Sequence, residues 1–276
     1  MTAAAGGLFG SAAYLEASAR HDGGTPDTLV LGGVQLPVVV EPGGALHTPY
    51  GYPQPTGDTS AEALSAAAEL AARHPRPWRL ALAPVGAGEA FAAALAAHAP
   101  AVSSRPIAVH DFDGGDPVER FKGETRTMVR RALRSGARVE SGPVTPAFGA
   151  LYRAAMDALA APAHYRFDDT YLLALDGAGA VQWELHDAHG LAAAALFLVV
   201  GEEATYHLSA RRRTPDPPPG AANLLIAEGL RHCRDAGAEL CYLGGGRSGA
   251  ADDPLLRFKR TMATRIVDRP TFEHAP

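Results

Sequence analysis

Apolar and polar positions change period repeatedly along this chain, and each change marks an expected element. Helical spacing opens around Phe9–Arg20, and two runs of strand character follow, Thr28–Leu31 and Val34–Val40. Gly32-Gly33 between them suits a tight hairpin. A loop rich in Pro, Gly and Tyr, "HTPYGYPQP", separates this hairpin from an Ala-rich helical stretch reaching about Arg73. Thr59-Ser60-Ala61-Glu62 has capping-box spacing at its start, where a side-chain oxygen meets a free N–H of the first turn. "WRLALAPV" predicts a strand, Gly86–His98 a helix and "PIAVHDF" a strand. A basic helix is expected over roughly Pro117–Ser135, stopped by Gly136.

The second half follows a similar course. Ala147–Ala160 has helical spacing; "VQWELHD" and "LAAAALFLVV" predict strands about the Ala188-His189-Gly190 turn, and "EATYHLSA" pairs back across Gly201. "RRRTPDPPPG" is excluded from helix because each proline lacks the N–H a helix needs. Gly220–Ala236 predicts a helix ended by Gly237, "AELCYLGGG" a strand, Pro254–Thr264 a helix and "RIVDRP" a last strand. Strands and helices interleave, which predicts an α/β or α+β chain with sheets covered by helices. The two halves read as variants of one plan, with domains expected at 1–140 and 141–276.

Composition is compatible with this plan. The chain has 276 residues, 47% hydrophobic and 20% charged, enough to bury a sizeable core. A net charge of −5 argues against wrapping duplex DNA with the whole surface. Cys233 and Cys241 are too few for a disulfide framework and match no zinc spacing, so each is expected as a small buried thiol. The N-terminal "MTAAAGGLFGSAAYLEASARH" has no basic segment followed by an apolar block, and no apolar run approaches membrane-spanning length. A cytoplasmic, reduced protein is expected. Gly-x-Ser-x-Gly, His-Glu-x-x-His and P-loop motifs are absent.

Charge is uneven along the chain. Arg120 to Arg138 carries seven basic residues against Glu124 alone. Lys122, Arg126, Arg130 and Arg134 recur every four residues and form a stripe on an expected helix, with Arg131 beside it. Such a stripe suits phosphate, since Arg presents a planar fork of donors. It equally suits a solvated face with Phe121, Met128, Val129, Ala132 and Leu133 turned inward. The chain has only two lysines, Lys122 and Lys259, and both follow Arg-Phe. In "LLRFKRTMATR", Phe258, Met262 and Ile266 have core spacing, and Lys259 points about 100° away from Phe258. An ammonium there has the chemistry to donate to an oxygen that turns negative in a transition state.

Three further stretches bear on chemistry. Tyr50 and Tyr52 flank Gly51 in a proline-bounded loop, lining a pocket or packing over a sheet. His207, Glu184 and His186 fall on expected strands and single out no general base. The strand-linker-helix "ATYHLSARRRTPDPPPGAANLLIAEGL" stands where acyl-CoA transferases of the GNAT class hold a diphosphate on backbone N–H groups at a helix start. The prolines of its linker remove donors and Gly220 is the linker's only glycine, so it is poorly equipped for that ligand.

Taken in order, "TPYGYP", "RTMVRRALRSGARVE", "TYHLSA … NLLIAEGLRHCRDAGAELCYLGGG" and "LLRFKRTMATR" resemble the Fem-type aminoacyltransferases. The resemblance covers most of the chain, with gaps around 60–105 and 160–180. It implies two tandem GNAT-like domains and transfer of an amino acid from aminoacyl-tRNA to an amine, with no cofactor. The lysine of the family's terminal Phe-Lys pair faces the reaction channel, which implies Lys259 as the catalytic residue and Phe258 beside it. The other substrate-binding positions implied or proposed are Tyr50, Tyr52, Lys122, Arg126, Arg130, Arg131, Arg134, His207 and Asn223; Lys122 has no direct counterpart in the family. The coiled-coil insertion of some members is absent and the chain is shorter than most cross-bridge enzymes, which implies a small peptide or amine acceptor such as an antibiotic or cell-wall precursor. An acyl-CoA N-acyltransferase and a non-catalytic GNAT-like binding module are the alternatives.

Overall fold

The computed structural model describes residues 7–276; the N-terminal reading falls in part on residues 1–6, which lie outside the described residues. A 3-10 turn at Leu8–Gly10 leads into α1 (Ala12–His21), then β1 (Thr25–Leu31), β2 (Val34–Val40), β3 (Leu46–His47) and β4 (Thr56–Gly57). Next come α2 (Ala61–Ala72), β5 (Trp78–Ala81), α3 (Gly86–Leu95) and β6 (Ala101–Asp111). The chain continues through α4 (Gly123–Leu133), β7 (Arg138–Gly142), α5 (Pro146–Ala158) and α6 (Asp169–Gly177). It ends with β8 (Ala180–Asp187), β9 (Gly190–Val200), β10 (Glu203–Arg211), α7 (Ala221–Asp235), β11 (Leu240–Gly244), α8 (Pro254–Arg260) and β12 (Arg265–His274). The α/β class is therefore as expected from the pattern.

Two compact units share the chain. The first comprises Met1–Ile107, Ser248–Ala251 and Val267–Pro276, the second Ala108–Arg247 and Asp252–Ile266. The division expected after residue 140 thus falls inside the second unit. The reason is that the end of β6 pairs antiparallel with β11 from Asp111–Leu240 to Ala108–Gly244, α4 packs on α7, and β7 pairs with β8, so all three belong with the elements that follow.

In the first unit the strand order is β1-β2-β3-β5-β12, with β4 against β2. The β1–β2 hairpin turns at Gly32-Gly33 as the glycines predict, and β3 runs parallel to β5. Leu36, Leu80, Phe91, Leu95 and Phe272 are buried together between this sheet and its helices. Ser60, one residue later than expected, caps α2 by accepting from the Ala63 N–H at 3.3 Å.

The second unit has the order β6-β11-β10-β9-β8-β7. Its middle strand β9 is buried without interruption from Ala192 to Leu198, so both of its faces are covered. α7 packs on it, burying Leu224, Leu225, Leu230 and Cys233. Cys233 and Cys241 are both free and buried, as expected. The proline linker is held by Arg212, which pairs with Asp187 at 2.6 Å and donates to Pro215 O at 2.9 Å.

The basic helix differs from expectation. Pro117–Arg120 is a 3-10 turn, the chain is extended at Phe121 and Lys122, and α4 starts only at Gly123. Phe121 is drawn into the core, and the Lys122 N–H donates to Thr261 O at 2.8 Å instead of entering a helix. Lys122 is consequently the N-cap residue of α4, so the four-residue stripe begins at Arg126.

Packing at one helical glycine decides a sign. Ala at an interior helix position ordinarily gains about 1 kcal/mol over Gly. A Cβ at Gly229, however, would lie 2.1 Å from the fully buried Phe197 ring. Overpacking a core costs about 1–3 kcal/mol, so Gly229→Ala is expected to lower the unfolding free energy in urea. A more stable variant would show that Phe197 swings clear.

Candidate active site

In the second unit β10 and β11 are parallel neighbours only from Glu203–Leu240 to Thr205–Tyr242. Beyond that point β10 bulges between Tyr206 and Leu208, and Gly244 of β11 pairs with Ala108 on β6. The two strands part there, and main-chain groups of β10 beyond the bulge have no strand partner on the β11 side among the described residues. Gly244, at φ 89°, opens the glycine-rich turn that leaves β11.

α8 brings Lys259 to this turn. The side chain is buried, the residue being 9% exposed, and its Nζ donates to Gly245 O at 3.0 Å. The ammonium stands 5.8 Å from the centre of the Tyr206 ring, on β10 at the bulge. Among the described residues it forms no salt bridge. Burial pushes its pKa down to about 8, with Asp253 pulling the other way. Tyr206 donates to Ser209 Oγ, and burial holds its phenol up at about 12, so it is neutral near pH 7. Phe258 is half-buried against the core that holds Met262, as the spacing predicts. Ile266 is not in that stripe: α8 ends at Arg260, and Ile266 lies 37% exposed on β12.

The remaining candidates divide. His207 is buried at the bulge, and burial pushes its pKa to about 3, so the ring is neutral; its Nε2 lies 2.9 Å from the Tyr171 hydroxyl. Tyr171 in turn stacks on Phe167 at 4.1 Å. Asn223 is buried in the first turns of α7. Arg126 turns its guanidinium back onto Glu119 O and Phe121 O, at 3.0 and 2.8 Å, where it caps the broken helix. Lys122, Arg130, Arg131 and Arg134 are exposed, and none forms an ion pair among the described residues. Tyr50 and Tyr52 belong to the first unit. Tyr50 is 37% exposed and its carbonyl accepts from Tyr14 Oη at 2.7 Å, while Tyr52 packs between Phe9 and the Arg269 guanidinium.

The two Arg-Phe-Lys phrases meet through the Lys122 N–H and Thr261 O, and Phe121 and Phe258 join the same core. Of the two lysines, only Lys259 is buried. Tyr206 lies inside "TYHLSA" without being singled out by the sequence, and Tyr171 and Asp253 are passed over. The turn glycines after β11 were the available signal.

Two further features bear on possible ligands. Glu140, Glu184 and His186 bring three ligand atoms within 4.8 Å of one another. Their hydrogen bonds are internal: His186 Nε2 lies 2.7 Å from Glu184, Thr145 and Gln182 also donate to Glu184, and Glu140 pairs with Arg138. At the start of α7, Gly220 has φ 89°, and a Cβ there would lie 2.2 Å from Met128 O of α4. A backbone carbonyl therefore abuts the helix start that a diphosphate would need.

No family model matches the chain, and no curated protein matches it in sequence. Among solved structures, FemX aligns over 100% of this chain and 94% of its own at 13% identity and TM-score 0.70. A conserved protein of unknown function from Bacteroides thetaiotaomicron aligns over 100% and 94% at 12% identity and TM-score 0.67. L-PGS from Bacillus licheniformis aligns over 96% and 92% at 14% identity and TM-score 0.60. The chain shares the mixed α/β fold of these proteins. No helix among the described residues is long and apolar enough to cross a membrane.

The buried ammonium has a measurable cost. A pKa lowered from 10.5 to about 8 means the unfolded chain holds the proton more tightly, at about 1.4 kcal/mol per unit. The penalty is complete below about pH 8 and fades as pH rises towards 10.5. Lys259→Met is expected to be more stable than the native chain at pH 7, by up to about 3 kcal/mol in urea, with the gap narrowing as pH is raised. A gap independent of pH would rule out charge burial as its source.

Proposed function

We propose that this protein transfers an amino acid from aminoacyl-tRNA to the amine of a small peptide, such as an antibiotic or cell-wall precursor, forming an amide bond. The observation that carries this reading is the Lys259 ammonium, buried where β10 and β11 part and without a salt bridge among the described residues. The acceptor amine gives up a proton and attacks the ester carbonyl, forming a C–N bond and a tetrahedral oxyanion. Lys259 donates to that oxyanion. The ester C–O bond then breaks and the tRNA 3′ end leaves with the proton as a hydroxyl. The ester supplies the driving force.

Several features support a tRNA donor over acyl-CoA. The resemblance to Fem-type enzymes and the FemX-like fold point the same way. The start of α7 lies against Met128 O, and the linker before it is rich in proline. Arg130, Arg131 and Arg134, with Lys122, offer exposed positive charge to phosphates. His207 and Asn223, both buried in the second unit, are kept as substrate-binding candidates.

The direct test supplies radiolabelled aminoacyl-tRNA or acyl-CoA with a pool of small amines and follows label into amide. Label is expected from tRNA alone, and ribonuclease is expected to abolish it. Lys259→Ala is expected to lower the rate about 10²–10³-fold. Ribonuclease-resistant transfer from acyl-CoA would overturn the reading.

The cationic surface has its own signature. Replacing Arg130, Arg131 and Arg134 with Glu is expected to weaken tRNA binding. The slope of log affinity against log salt should shrink by about 0.7–0.9 for each phosphate that is no longer neutralised. An unchanged slope would remove this surface from the tRNA interface.

A further inference from the structure

Asp253 is 5% exposed, and its two carboxylate oxygens serve different parts of the chain. Oδ1 accepts from the N–H groups of Leu255 and Leu256, at 2.8 and 3.2 Å, and so closes the first turn of α8. Oδ2 accepts from the Arg247 N–H at 3.0 Å, in the turn that leaves β11. The approach is so close that a Cβ on Gly246 would lie 2.4 Å from the Asp253 carboxyl carbon. Residue 246 must lack a side chain for this contact to exist.

The neighbouring residue of the same turn, Gly245, accepts from Lys259 Nζ at 3.0 Å. Residues 245–247 are therefore gripped at one end by Asp253 and at the other by Lys259, which lie at the two ends of one short helix. The helix, the turn and the ammonium close a ring of hydrogen bonds. A helix cap alone needs one acceptor oxygen. The second oxygen has no capping duty, and it is the one that anchors the turn.

We propose that Asp253 is the positioning residue for Lys259, tying the Gly245–Arg247 turn to the start of α8 so that the ammonium is held at one place beside the parting strands. This deepens the reading of Lys259 as the oxyanion donor and rests on it for its catalytic meaning. Asp253 is the charged group that acts on the ammonium, favouring its protonated form; from β10 it is faced by Tyr206, which is neutral.

Asp253→Asn separates the two duties. The amide oxygen still caps α8, but the amide nitrogen cannot accept from the Arg247 N–H. The chain's two lysines make the readout simple: biosynthetic ¹³C-lysine labelling yields two side-chain signals, assigned with Lys122→Arg. Thermal unfolding first establishes that the variant is folded. In Asp253→Asn the Lys259 signal is expected to titrate roughly one pH unit lower than in the native chain, with Lys122 unmoved. In the transfer assay, kcat is expected to fall about tenfold with KM for the amine unchanged, short of the loss on removing the donor itself.

Gly246→Ala is the second variant. It keeps the carboxylate but forces the turn away, so the Lys259 chemical shift is expected to move although the charge remains. Native titration and chemical shift of Lys259 in folded Asp253→Asn would overturn the proposal. Should Asp253→Asn not fold, a native Lys259 signal in Gly246→Ala would overturn it equally. The titration uses no substrate, so a failure of the tRNA reading, seen as unchanged turnover in Lys259→Ala, stays distinct from a failure of this one.

Discussion

An ammonium taken out of water must be compensated by neighbours, and the hydrogen bond from Lys259 to Gly245 O is where that demand is met here. A carbonyl is a modest acceptor for a full positive charge. The residual cost appears as a lysine that gives up its proton near pH 8. Under the proposed reaction, the charge gains a second partner in the oxygen that turns negative. Around this group the local chain is organised. β11 ends in glycines so that the turn can press against Asp253, and α8 is capped so that its last turn carries the ammonium to the same place.

In the second unit two strands part beside this group. A parallel pair is hydrogen-bonded evenly along its length while it lasts, so its interruption after Thr205–Tyr242 leaves main-chain groups of β10 without a strand neighbour on that side among the described residues. The bulge at Tyr206–Leu208 and the shift of Gly244 onto Ala108 are its immediate causes. The buried pair of Tyr171 and His207 lies at the bulge, hydrogen-bonded to each other as buried polar side chains must be. Close packing of α4 on the start of α7 follows from Gly220, whose left-handed backbone and missing side chain admit Met128 O.

Much of this was legible along the chain because periodicity survives in local elements. The hairpin at Gly32-Gly33, the buried run of β9 and the helix ended by Gly237 all depend on neighbours close in sequence. The basic helix departs from its pattern for the opposite reason. Its spacing from 117 to 135 is helical throughout, but Phe121 is drawn into the core and the Lys122 N–H bonds to Thr261, a partner far along the chain. α6 escapes sequence reading because its apolar positions, Tyr171, Leu172 and Leu175, make too short a pattern to separate from a loop. The division of the chain is displaced because the pairing of β6 with β11, the packing of α4 on α7 and the pairing of β7 with β8 are seen only in the fold.

The sequence by itself determined the class of fold, the order of most elements and the singular lysine of "LLRFKR", since composition and period are properties of the chain alone. Which arginines face solvent, that Arg126 is spent on backbone carbonyls, and that Asp253 joins a turn to a helix were decided only by tertiary structure. Burial, and with it the depressed basicity of Lys259, arises from what packs around a side chain. No pattern of neighbours along the chain carries that information.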